Sequence, residues 1–447
     1  MTGLLRTYAS PGLILLCSFL VTIGIGACLL ALPIARTIPI SLIDLIFTAT
    51  SATCVTGLTT ISLDAFTRFG QAVILALIQI GGLGLITITF FFMYLFINSG
   101  LAGSVMMSEL LEINSWTHVR RTLSLIVLIT VVCECVGAFL VFCIIHSHLP
   151  INTALFFSVF HAVSSFCNAG IIISEQIITT YGHHIPLLST TVALMFCGGF
   201  GFLTWCELGR WAKWKITEGK RYRFSLQTSI VLRWSIVLIV VTALIYFILE
   251  QRYSLAQASI PQGLLSALFH AISFKGTGFM LENISNFHPA TLFMLMIIAF
   301  IGASPGSTGS GIKLTTLAIF FATIKATISG RTAVEISSRS IPNDQVYKAI
   351  TIVAASIMWI LCSTFLLLIT ESHWKFDDLF FEAFSAFTTL GITTGSTASL
   401  SAFGKIIVTT SMIVGRIGSL TILLSFKFNQ KDDPVPFSYP EERIMLG

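Results

Sequence analysis

Four segments of the chain share one sparse pattern of phenylalanine, serine and glycine. They are SLIDLIFTATSATCVTGLTT (41–60), NTALFFSVFHAVSSFCNAGIII (152–173), QGLLSALFHAISFKGTGFML (262–281) and FDDLFFEAFSAFTTLGITTG (376–395). Phe47, Phe160 and Phe381 precede Gly57, Gly170 and Gly391 by ten residues, and Phe269 precedes Gly278 by nine. Ser51, Ser164, Ser273 and Ser385 lie between, and the glycines recur at intervals of 113, 108 and 113 residues. The chemistry on offer is that of the backbone. Glycine reaches left-handed angles without a Cβ clash, so carbonyl oxygens can be aimed at an axis, where rings of them replace the hydration shell of a cation. The nearby side chains Thr53, Thr56, Thr277, Thr388 and Thr389 are neutral, which suits a weakly hydrated monovalent ion. A divalent filter would call for a ring of Asp or Glu. One such glycine alone would read as a tight turn; four in register predict an ion pathway.

A second Gly-rich mark follows each segment. Gly81 opens GGLG, Gly198 opens GGFG and Gly415 opens GRIG; Gly302 leads into SPGSTGSGIK (304–313). The last stretch interrupts an apolar run of 290–328. Pro305 removes a backbone donor, and Gly306, Gly309 and Gly311 permit irregular angles. Hydroxyls of Ser304, Ser307, Thr308 and Ser310 can serve the freed backbone groups. Such a loop, below the glycine ring, would obstruct a pore and could move; the alternative is a Pro-Gly kink that helps helices pack. A phosphate loop is disfavoured, since the GK[ST] ending is missing.

Positioning these residues requires membrane-spanning helices. The sequence is 55% hydrophobic and 10% charged, with a mean hydropathy of +0.90; a soluble domain would be nearer ~25% charged. Apolar runs at 12–32, 71–97, 123–145, 187–208, 229–249, 290–328, 346–370 and 404–426 can each span a bilayer, which takes ~20 helical residues. The four glycine segments between them are too short or too polar, and read as re-entrant. The formal charge of +5 does not indicate nucleic acid, because Lys and Arg gather in short loops such as 210–223 and 325–348, as membrane topology demands. They place both termini in the cytoplasm and the re-entrant segments on the outside. The first run is too long for a cleavable signal. The ten cysteines read as small buried residues, neither disulfides nor metal ligands.

Three cations fall at membrane depth. Arg416 and Lys313 cost ~2.5–3.5 kcal/mol each on insertion scales and must face protein or water. Arg416 is expected near the axis, as a positive barrier or as a partner of carbonyls freed by the broken helix. Lys275, three residues before Gly278, is expected to point behind the filter, toward pore-helix carbonyls or Glu282. His161 and His270, each in an FHA triplet, are expected to pack. Asp44, Asp377 and Asp378 start re-entrant helices, where capping and the helix dipole favour them.

TSATCVTGL, SSFCNAG, FHAISFKGTGF and SAFTTLGITTG, with SPGSTGSGIK, GRIGSLT and the terminal YPEERIMLG, resemble the membrane subunits of Ktr potassium-uptake systems, within the Trk/Ktr/HKT superfamily. The resemblance spans the chain. It implies an all-α polytopic protein of four helix–pore loop–helix units in pseudo-fourfold arrangement around one central pore. The units would be 1–110, 111–222, 223–340 and 341–430, followed by a cytosolic tail at 431–447. It implies a homodimer in the cell membrane on a cytosolic nucleotide-binding ring of the RCK type, with nucleotide on that partner alone. The ion-binding filter would be Thr56, Gly57, Ala169, Gly170, Thr277, Gly278, Leu390 and Gly391. The gate loop would be Ser304, Pro305, Gly306, Ser307, Thr308, Gly309, Ser310, Gly311 and Lys313, with Arg416 as the pore barrier. Plant relatives with Ser at the first filter position prefer sodium, so Gly57 favours potassium. No cofactor is expected on this chain beyond K+, and possible Na+, as transported ions. A sodium-permeable or sodium-coupled carrier is the alternative. An enzyme is not expected, for there is no HExxH, no triad and no soluble catalytic domain.

Overall fold

The computed structural model describes residues 11–83, 116–174 and 184–418, apart from 218, 220, 221, 257 and 283. The second half of the 71–97 run and the tail with YPEERIMLG lie outside the described residues. Helices α1 (Pro11–Ala31), α2 (Leu42–Cys54) and α3 (Arg68–Gly82) are followed by α4 (Trp116–Ile145), α5 (Ile151–Cys167), α6 (Ile185–Gly199) and α7 (Phe202–Thr217). Then come α8 (Leu226–Glu250), α9 (Ile260–Ser273), α10 (Pro289–Ile301) and α11 (Leu314–Ile328), and finally α12 (Asn343–Thr370), α13 (Phe376–Thr388) and α14 (Ala402–Ile417). A two-residue-per-strand hairpin, β1 (Glu335–Ile336) with β2 (Arg339–Ser340), joins α11 to α12.

Ser124–Ile145, Leu226–Glu250 and Asn343–Thr370 are long and apolar enough to cross a membrane on their own. Their outer faces carry exposed apolar side chains, among them Phe139, Val237, Ile248, Met358 and Phe365, as expected of surfaces that meet acyl chains. The short helices α2, α5, α9 and α13 lie inside this shell and are buried despite their hydroxyls: Thr50, Ser51, Ser164, Ser165, Ser273 and Ser385 are all inaccessible. Each packs on its flanking helix, α1 on α2, α4 on α5, α8 on α9 and α12 on α13. The following helix then reaches the next short one. α3 touches α5, α6 touches α9, α10 touches α13, and α14 returns to α2. These contacts close into a ring of four, which is compatible with the expected fourfold pseudo-symmetry.

One span differs from expectation, and another is broken as expected. The 187–208 run is not one helix: α6 ends at Gly199, Gly201 has φ +93°, and α7 leaves at 97° to α6. Within 290–328 the helix stops at Gly302, three residues ahead of Pro305. Gly302 has φ +52°, and a Cβ there would lie 2.7 Å from the carbonyl oxygens of Ser310 and Ile312 on the returning limb of the loop. Pro305 has no N–H for the carbonyl of Ile301, four residues earlier, and at Gly302 the returning limb comes too close for any side chain. The cysteines are all free, yet only Cys54 and Cys167 are buried in protein; Cys17, Cys28, Cys135, Cys143 and Cys362 sit on the outer surface.

Candidate ion pathway

Three of the four short helices end in a left-handed cap, while α9 ends at Phe274 in a right-handed one and runs on through a turn. The residue two before each key glycine has positive φ: 56° at Val55, 59° at Asn168, 141° at Gly276 and 51° at Thr389. Gly57, Gly170, Gly278 and Gly391 follow at 99°, 65°, 74° and 82°. Positive φ is strained for β-branched Val and Thr, so packing must impose it. The four serines do part of this. Thr56, Ala169 and Leu390 donate their N–H to the carbonyls of Ser51, Ser164 and Ser385, at 2.8, 2.8 and 2.9 Å. Thr277 and Gly278 both donate to Ser273 O. The Ser51 hydroxyl accepts from Gly57 N at 3.1 Å, Ser164 Oγ donates to Ile171 O at 2.8 Å, and Ser273 Oγ donates to Phe279 O at 2.6 Å. Helix end and glycine segment are thereby one braced unit.

The glycines meet one another's neighbours in cyclic order. A Cβ on Gly57 would lie 2.6 Å from Ala169 O, on Gly170 2.1 Å from Thr277 O, on Gly278 1.7 Å from Leu390 O, and on Gly391 2.0 Å from Thr56 O. All eight residues expected at the filter are thus brought together, and any side chain at the glycines would collide with a carbonyl of the next segment. The second set of glycines holds this ring from behind. Gly81, Gly198 and Gly415 press on the carbonyls of Thr53, Phe166 and Phe387, where a Cβ would come within 2.0, 1.8 and 1.7 Å. Each of those carbonyls lies four residues before its filter glycine. In the third unit the corresponding Gly302 is instead where the helix stops, and the loop takes its place.

That loop is hydrogen-bonded on every side. Ala303 N donates to Ser310 O at 3.1 Å, and Ser307 Oγ donates to Ser304 O at 2.6 Å. Two further bonds join it to the break between α6 and α7. Thr308 N donates to Gly198 O at 3.2 Å, and Phe202 N donates to Gly306 O at 2.8 Å. Two broken helices satisfy each other's orphan groups, which a membrane interior requires. Thr308 Oγ1 donates to Phe166 O (3.1 Å), so it serves α5 and not the loop itself. Ser304 Oγ, expected to serve the backbone, has no hydrogen-bond partner among the described residues. Lys313 curls back to donate to Gly309 O at 2.8 Å.

Arg416 is buried and reaches the loop. One guanidinium nitrogen donates to Thr308 O at 2.5 Å and Ser310 Oγ at 2.8 Å; the other donates to Gly81 O. Lys275 does point away from the ring, but its partner is neither a carbonyl nor Glu282. Its ammonium donates to Ser235 Oγ on α8, at 2.9 Å. His161 contacts Thr191 Oγ1 at 2.8 Å and stacks on Phe157, while His270 stacks on Tyr246; both are packing residues. Asp44 lies in the first turn of α2, capped by Ser41, and pairs with Lys405 at 2.7 Å.

Sequence reasoning passed over Asn168. Its amide donates to Thr308 Oγ1 at 2.6 Å and its carbonyl oxygen accepts from Thr277 Oγ1 at 2.5 Å. One side chain therefore joins the second filter segment to the third and to the loop. A polar residue among three apolar or small neighbours, CNAG, was the available signal. Glu134 was also missed: this buried carboxylate on α4 accepts from Gln79 Nε2 at 3.0 Å and lies 3.7 Å from Cys167 Sγ.

A ring of uncharged carbonyl-bearing strands, enclosed by helices with apolar outer faces, defines a membrane protein that passes cations without covalent chemistry. Comparison with known proteins agrees. The family model of TrkH, described as a cation transport protein, matches residues 13–434, and the chain belongs to that family; it is a transporter and not an enzyme. It is 33% identical to the Ktr system potassium uptake protein B of Bacillus subtilis, over 98% of this chain and 97% of that protein. It is 32% identical to the protein of that description from Vibrio alginolyticus, over 97% and 94%, and 29% identical to the potassium/sodium uptake protein NtpJ of Enterococcus hirae, over 99% and 98%. The crystal structure of the potassium transporter TrkH from Vibrio parahaemolyticus shares the fold, with a TM-score of 0.68, 18% identity, and coverage of 91% of this chain and 84% of that one.

Proposed function

We propose that this protein takes up potassium through a pore whose filter is formed by the carbonyls of Thr56, Gly57, Ala169, Gly170, Thr277, Gly278, Leu390 and Gly391. The observation that carries the reading is the cyclic contact of the four glycines with the carbonyls of Ala169, Thr277, Leu390 and Thr56. Neutral backbone oxygens favour an ion that sheds water cheaply. The 304–313 loop is the gate below the filter, and Arg416 holds it while placing a positive charge on the exit path. A cytosolic nucleotide-binding ring supplies the regulation, and two copies of this chain assemble on it. For the partner to open the gate it must bind the open state better, since equal affinity shifts nothing.

Rubidium flux into vesicles, with potassium and sodium as competitors, tests this. Potassium should compete and sodium should not. Strong competition by sodium would favour the second reading, a sodium-permeable or sodium-coupled carrier on the same scaffold, which the potassium/sodium description of the Enterococcus hirae relative supports.

A further inference from the structure

The segment after the α6 break has a composition unlike the rest of the molecule. From Arg210 to Phe224 the sequence RWAKWKITEGKRYRF carries six cations, one acid and four aromatic residues. Arg210, Lys213, Lys215 and Arg223 are exposed, as is Ile216, at 86%. The aromatic rings form a cluster that ties α7 to the segment ahead of α8: Trp211 to Phe224 at 6.1 Å, Trp214 to Tyr222 at 5.7 Å and Tyr222 to Phe224 at 5.3 Å. Lys215 lies over the Trp211 ring at 5.3 Å.

The depth of this cluster follows from its neighbours. Glu207 accepts hydrogen bonds from Ser225 N at 2.7 Å, from Ser225 Oγ at 2.6 Å and from Thr228 Oγ1. It therefore fastens α7 to the N-terminus of α8, a 25-residue apolar helix long enough to span, so its end lies at a membrane face. α6, with 15 residues, covers only about 22 Å. α7 leaves α6 at 97°, so beyond Glu207 it runs along the membrane face where α8 begins and does not continue the crossing. Tryptophan, tyrosine and lysine at that level are the residues that seat at a headgroup layer. An exposed isoleucine among them belongs at the acyl boundary.

The other end of α7 sits at the gate loop. Phe202 N donates to Gly306 O at 2.8 Å, its ring lies 6.5 Å from Phe166 at the end of α5, and a Cβ on Gly201 would come within 2.8 Å of Pro305 O. Trp205 Nε1 donates to Cys197 O at 3.0 Å, which closes the bend. A helix held at both ends transmits displacement along its axis.

We propose that the second half of α7 with residues 222–224 is a docking surface for anionic phospholipid headgroups, and that its occupancy biases the 304–313 loop through Phe202 and Gly306. The first clause stands on charge and depth; the second rests on the gate reading above. Each cation near an anionic bilayer strengthens attraction roughly fivefold.

Purified protein in vesicles containing brominated phosphatidylglycerol or brominated phosphatidylcholine tests the first clause, because bromine quenches nearby tryptophan. A Trp211→Phe/Trp214→Phe variant sets the baseline from the other tryptophans. Wild type should be quenched several-fold more efficiently by the anionic lipid. Arg210→Gln/Lys213→Gln/Lys215→Gln should lose that preference, and Arg210→Lys should keep it. Equal quenching by both lipids overturns the docking surface. So does an unchanged preference in the triple variant, above all if that variant instead fails to bind the cytosolic ring, which would assign the surface to a protein. Rubidium flux in the same vesicles tests the second clause: phosphatidylglycerol should change wild-type flux and leave the triple variant unaffected. Selective quenching with lipid-insensitive flux overturns the coupling alone. Selective quenching with no flux in any vesicle overturns the transport reading and leaves the docking surface standing.

Discussion

Arg416 donates to the carbonyl of Thr308 at 2.5 Å, across 108 residues of chain. The same guanidinium holds Gly81 O, so α14, the broken third unit and the end of α3 meet at one cation. A planar fork with several donors does this; an ammonium cannot reproduce it. Arg416→Ala and a loop shortened between Gly306 and Gly311 should each raise flux and weaken dependence on a cytosolic partner. Because the groups touch, the two changes should couple by ~0.5–3 kcal/mol and not add. Flux measured on both variants and their combination, matched for membrane expression, checks this; additive effects would separate Arg416 from the loop. Arg416→Lys should restore little.

Asn168 connects filter and loop through two separable bonds. Thr277→Val removes the filter-side donor, and Thr308→Val removes the loop-side contact. Each should cost ~1–3 kcal/mol, since a buried amide group is left unserved. Thr277→Val should shift the competition between potassium and sodium. Thr308→Val should change flux and leave that competition as in wild type. Paired competition curves distinguish them, and identical behaviour would show that the two bonds act as one.

Gly57 has the roomiest of the four filter positions, its Cβ site lying 2.6 Å from Ala169 O against 1.7 Å from Leu390 O at Gly278. Gly57→Ser should therefore fold, push the Ala169 carbonyl outward and raise sodium permeability relative to potassium. Gly278→Ala should give little stable protein. Detergent melting curves and sodium competition read both outcomes.

Two acids at the C-terminal ends of α8 and α12 cap helices that follow. Glu250 accepts from His288 N at 3.0 Å and Thr291 Oγ1 at 2.6 Å, while Glu371 accepts from Ser401 N at 2.9 Å and from Ser401 Oγ. A carboxylate at a helix N-terminus satisfies orphan donors and the dipole together. Glu371→Ala should cost ~1–3 kcal/mol in stability without altering ion preference, measured as a lower melting temperature with an unchanged competition profile.

Lys275 makes the opposite case. Its ammonium has Ser235 Oγ as its recorded partner, and a buried charge so thinly served is replaced by an apolar group of similar length at little or no cost. Lys275→Met should melt at the wild-type temperature or above it. A marked fall would mean that the charge itself stabilises the third unit.

Much of this protein was legible before folding. Hydropathy dictates a membrane helix bundle, and a glycine period repeated near every 110 residues points to segments that must present bare backbone. The motifs around Gly57, Gly170, Gly278 and Gly391 were sufficient to recognise the family that the comparisons confirm. Local chemistry of this kind depends on residue type and spacing, which a sequence displays directly. What it could not display was which backbone faces which. Gly81, Gly198 and Gly415 look like helix-weakening residues until each is seen against a carbonyl four residues ahead of the filter. Gly302 can end the helix because it has no Cβ to meet the returning limb at Ser310 and Ile312. The break at Gly201 is tolerable because the loop at Gly306 supplies the acceptor for Phe202. Asn168 gains its importance only when Thr277 and Thr308, more than a hundred residues away, arrive on either side. Hydrogen bonds and close approaches act over a few ångströms, so partners distant in the chain acquire their meaning from the tertiary structure alone.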